Sequence, residues 1–134
     1  MKTLLVSLLL TSTLALPAVA DDWAIEGMDA VGLLQSGRPV PGRGDIATMW
    51  KGQIWHFATE ENRSRFESDP RTFVPAFDGL CPVALSKGRR VPGDPRHAVV
   101  IGDRVYLPSS ARSARQLRTE PRDVLSLANR HWKQ

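Results

Sequence analysis

Thiols are almost missing from this chain, which holds a single cysteine, Cys81, in 134 residues. No disulfide can form within one copy, so a disulfide-stapled scaffold is excluded. A lone thiol is either buried as a small hydrophobe or held for metal or redox chemistry. Long apolar runs are missing as well. Outside the first twenty residues no stretch approaches the roughly 20 apolar residues that a membrane-spanning helix needs. Neither sign of charge dominates, with 18 Lys and Arg against 14 Asp and Glu and a net charge of +4. That modest excess favours solubility, or attraction to an anionic envelope surface, over nucleic-acid binding.

The first twenty residues read as a leader. Lys2 supplies a positive start, Leu4 to Leu16 an apolar stretch, and Ala18-Val19-Ala20 the small residues of a cleavage site. No cysteine follows the expected cut, so no lipid anchor is indicated there. The expectation is a soluble periplasmic or secreted product, residues 21–134, of a size that suits one domain.

What is present is a repeat. Gly27-Met28-Asp29-Ala30-Val31-Gly32-Leu33 recurs as Gly79-Leu80-Cys81-Pro82-Val83-Ala84-Leu85, and Val40-Pro41-Gly42 recurs as Val91-Pro92-Gly93. Asp29 and Cys81 fall on the same position. Downstream, Phe57, Thr59, Phe66 and Pro70-Arg71 find counterparts in Leu107, Ser109, Leu117 and Pro121-Arg122. Two copies, about 25–76 and 77–132, give a pseudo-symmetric domain and not a solenoid.

Local signals give each copy the same elements. Asp29 is suited to cap a short helix over Ala30 to Gln35 that Gly37 ends. Cys81 takes that position in the second copy, with Pro82 at the first helical residue and Gly88 closing the helix. Ile46 to Trp50 and Gln53 to Phe57 read as a hairpin around Lys51-Gly52; Ala98 to Ile101 and Arg104 to Leu107 repeat it around Gly102-Asp103. Thr59 caps the following helix, with Ser109 or Ser110 as its counterpart. Asp69-Pro70 and Glu120-Pro121 start new helices, the last running from Pro121 to about Trp132. An α+β fold with an antiparallel sheet follows.

In Gly27-Met28-Asp29-Ala30-Val31, in the run Ile54 to Arg63, in Gly79-Leu80-Cys81 and in the block Lys87 to Pro95, the chain resembles the exported long form of the YHS domain family. The resemblance covers about Ile25 to Trp132. It implies a treble-clef-like α+β fold and an association with metal handling, copper especially. Short members typically carry cysteines where this chain has Gly32, Ala58 and Asn62, so a zinc-type cysteine cluster is excluded. His56 stands where the exported form usually has tyrosine.

Cys81, His56 and Asp29 are therefore the candidate metal ligands. A thiolate selects Cu(I), imidazole suits copper and zinc alike, and a helix N-terminus favours the thiolate form. His97 is expected at the surface, and Met28 and Met49 as core filler. Arg112, Arg115, Arg118 and Arg122 recur at helical spacing as a solvated face. The leading function is a non-enzymatic copper-handling protein, a chaperone, buffer or sensor. The alternative is an envelope interaction module that keeps the fold without metal. A thiol enzyme with a histidine base is the least supported reading, because nothing in the sequence places His56 or His97 beside the sulfur. One thiol per chain also allows a metal shared by two protomers of a homodimer.

Overall fold

The computed structural model describes residues 22–134, and the expected leader lies outside the described residues. Six α-helices and two antiparallel hairpins make an α+β fold. The first half runs through a 3-10 turn (Ala24–Gly27), α1 (Ala30–Ser36), β1 (Arg43–Trp50), β2 (Gln53–Phe57), α2 (Glu60–Ser68) and α3 (Pro70–Phe73). The second half runs through a 3-10 turn (Ala76–Gly79), α4 (Pro82–Leu85), β3 (Val99–Ile101), β4 (Arg104–Tyr106), α5 (Ala111–Thr119) and α6 (Pro121–Trp132). It adds one 3-10 turn, Pro95–His97, before its hairpin.

The antiparallel pairing is as expected, but the strands form two separate two-stranded sheets and not one. In the first hairpin Lys51 and Gly52 both have positive φ, the two-residue turn whose twist matches that of the strands. β1 is longer than expected and shifts register between Arg43 and Ala47, which sets Ile46 inward. Met49, expected in the core, is 66% exposed on the outer face of β1. The apolar content of that run conceals its alternation, since successive strand residues point to opposite faces. α4 is only one turn long and ends at Leu85, before Gly88, which lies in the following turn with its N–H on the Leu85 carbonyl.

Each half has its own core. Trp55, Phe57, Phe66 and Phe73 pack with Val31 and Ile46 in the first half; Cys81, Val83, Val99, Ala114, Leu117 and Val124 pack in the second. Phe57 and Phe66 are fully buried with rings 5.1 Å apart. Burying such a ring contributes about 3 kcal/mol. A third cluster, Leu33 with Ala98, Val105 and Leu107, joins the halves. Leu33 lies on α1 and the others on or beside β3 and β4, so this cluster fixes how the halves meet. Among the described residues no helix is long and apolar enough to cross a membrane.

Candidate functional site

Asp29 caps α1 as the sequence suggests, and does more besides. One carboxylate oxygen accepts from the Val31 and Gly32 N–H groups at 2.9 and 3.0 Å. The other accepts from the Ala58 N–H at 2.8 Å and the Asn62 side-chain amide at 2.7 Å. The carboxylate is fully buried and ties the start of α1 to the link between β2 and α2. Gly32, Ala58 and Asn62 thus supply three of its four donors. Both oxygens already have two partners each, so the carboxylate has little left to offer a metal ion.

Cys81 occupies the matching place in the second half. Its N–H bonds the Val91 carbonyl at 2.8 Å, as the Asp29 N–H bonds that of Val40 at 2.7 Å. Its sulfur is fully buried and accepts from the Ala84 N–H at 3.5 Å. Burial alone pushes the thiol's pKa up from the ordinary 9.0. The Ala84 N–H bond, with the Ser109 hydroxyl and the Ser109 and Val83 N–H groups nearby, outweighs burial and holds it below that value. The thiol therefore stands where the carboxylate stands, in a nest of N–H donors.

A lowered acid pKa has a definite sign. The folded state favours the thiolate, so its contribution is fully present above the unfolded pKa near 9 and is lost as pH falls through the lower folded value. Denaturant titrations of the wild type and Cys81→Ala should therefore diverge as pH rises toward 9, by up to about 1.4 kcal/mol per pH unit within that window. A difference independent of pH would contradict the thiolate nest.

His56 lies on the other face of β2 from Trp55 and Phe57 and is only 5% exposed. Its ring meets Trp23 edge-on at 4.7 Å, and the Gly42 backbone packs against its Cβ. Nδ1 is buried with no hydrogen-bond partner among the described residues. In the second half Gly93 packs in the same way on Leu107, so the place of Leu107 matches that of His56 and not, as the repeat suggested, that of Phe57.

Among the described residues no group of three or more His, Cys, Asp or Glu side chains could hold a metal ion. The structure thus does not gather Cys81, His56 and Asp29 into a site, and the fit to a copper centre is poor. His97 is half-buried at the end of its 3-10 turn. Arg112, Arg115, Arg118 and Arg122 are all exposed, as a solvated face requires. No protein-family model, curated protein or solved structure matches the chain.

A cleft of about 440 Å³ opens at the seam, and the sequence reading missed it. The two 3-10 turns, one from each half, help to line it. Each ends in a tight turn with two consecutive positive φ angles, Glu26-Gly27 in one and Asp78-Gly79 in the other, closed by bonds from Met28 to Ile25 and from Leu80 to Phe77. Ile25 and Phe77, just before, are also left-handed at φ 43° and 58°. A β-branched residue there is an outlier, and each strained residue costs about 1–3 kcal/mol. Glu26 and Asp78 thereby reach the cleft from opposite halves, and Trp23, Trp50 and Trp55 wall it. Gly27 and Gly79 were the available signal, since glycine is the residue that turns needing positive φ favour.

Proposed function

We propose that the protein is an exported, non-catalytic binding module in which a duplicated unit builds one ligand cleft at its seam. The observation that carries this reading is the cleft itself, which the corresponding turns of the two halves line with Glu26 and Asp78. Concave sites with aromatic walls and a few polar groups are the usual form of a small-molecule site. The shared order of elements, the paired caps at Asp29 and Cys81 and the paired glycines Gly42 and Gly93 support duplication. Strained turns at the cleft are also what a ligand site often retains at the expense of stability.

Copper handling through Cys81 is the second reading. It is favoured by the thiol's lowered pKa and by the unpartnered Nδ1 of His56. It requires the buried sulfur to exchange its N–H donors for a metal.

The test is where a ligand acts. Thermal unfolding with a panel of amino acids, sugars, organic cations and organic anions should yield compounds that raise Tm in the wild type. Their effect should vanish in Trp23→Ala, whose indole is half exposed and can be removed without opening the core, and survive in Cys81→Ser. Stabilisation that depends on Cys81 and ignores Trp23 would overturn the cleft reading.

A further inference from the structure

The chemistry of the cleft walls narrows the ligand. Trp23, half exposed, and Trp50 offer π surface, while Trp55 is 3% exposed and its indole N–H, bonded to the Trp50 carbonyl at 3.2 Å, gives no donor. Glu26 and Asp78 add two carboxylates that form no ion pair among the described residues. The only ammonium in the lining, Lys51, lies 4.8 Å from the centre of the Trp50 ring, so one of these rings already holds a cation. Arg96 stands near Glu26 but is engaged by both oxygens of Asp94. The site thus presents ring faces and anionic acceptors, with the amide of Gln53 the one neutral polar side chain.

That combination is selective. Apart from the indoles, a sugar or carboxylic acid would find only Lys51 and Gln53 as side-chain donors, and the Lys51 ammonium is already seated over the Trp50 ring. A cation with an apolar skin needs none, because it is held by ring quadrupoles and by charge. The net positive charge of the chain does not oppose this at short range. At physiological salt the Debye length is about 8 Å, so distant arginines are screened while carboxylates lining the cleft are not.

Resting on the reading of the cleft as the binding site, we propose that it binds a small organic cation of the quaternary ammonium class, seated between the tryptophan rings and the Glu26 and Asp78 carboxylates. The exposed Trp23 ring provides the outer wall, and one carboxylate from each half balances the charge.

Tryptophan fluorescence during titration with choline chloride, at ionic strength held constant with NaCl, tests the proposal. The neutral isostere 3,3-dimethyl-1-butanol serves as the comparison. Choline should give a saturable change, with the neutral alcohol at least 10-fold weaker. Glu26→Gln/Asp78→Asn should weaken choline at least 10-fold and leave the alcohol unchanged. Both positions are exposed, and Asn tolerates the left-handed backbone at Asp78, so the variant should fold. Equal binding of choline and the alcohol would overturn the cation proposal and leave the cleft as an apolar site. No saturation by choline would also overturn it, and ligands of other classes acting through Trp23 would then preserve the binding-module reading alone.

Discussion

Asp29→Ala should cost about 3–5 kcal/mol, as expected when a buried group with several charge-assisted hydrogen bonds is deleted. The substitution removes the acceptor for four N–H groups at once. Val31 and Gly32 lose the cap of α1, and Ala58 and Asn62 lose the link that holds the β2–α2 connection against it. Small domains have only about 5–15 kcal/mol of stability in total, so a large share would disappear. The Tm should fall by about 10–20 °C. Thr59→Ala, which removes an exposed cap with a single acceptor on the Asn62 N–H, should cost only about 1 kcal/mol. Chemical denaturation of both variants checks the contrast; similar losses would show that Asp29 is an ordinary cap.

Gly93→Ala is the second large effect. A Cβ at Gly93 would overlap the Leu107 carbonyl and side chain and would lie 2.7 Å from the Gly79 carbonyl. The clash is with backbone, which cannot swing away as a flexible side chain can. The Gly93 N–H is bonded to that Gly79 carbonyl at 2.8 Å, so relief would break the contact that anchors the turn. Overpacking of this kind costs about 1–3 kcal/mol and more where backbone must shift. The upper end is expected, together with altered binding, because Gly79 and Gly93 both line the cleft. Gly44→Ala is the control. Nothing lies within 4 Å of its Cβ and its φ is ordinary, so the change should be neutral or slightly stabilising.

Much of the fold was legible because its signals are local. Asp29 and Thr59 cap as their side chains suggest, Pro70 and Pro121 begin helices, and Lys51-Gly52 turns a hairpin. Ser110, one of two candidates, is the cap of α5. The left-handed pairs Ile25-Glu26 and Phe77-Asp78 were not legible, because residues of these types ordinarily avoid that conformation and only the surrounding contacts hold them there. Strand alternation could have separated His56 from the core rings beside it, and could have set Met49 outside. The paired positions of Asp29 and Cys81 were readable from the repeat. What surrounds each was not, because the Ala58, Asn62 and Ser109 partners arrive from distant parts of the chain. The cleft was invisible for the same reason: its walls come from five separate segments that only the packing of the halves brings together.

On the function proposed above, the thiol is architecture and the cleft is the binding site. Anaerobic Cu(I) titration of the reduced protein against a competing chelator, beside Cys81→Ser, tests it most directly. The folded wild type should compete for Cu(I) no better than the variant, because the sulfur is enclosed and already accepts from the Ala84 N–H. Tight one-to-one Cu(I) binding that disappears in Cys81→Ser would contradict it and return the metal to the centre of the protein's function.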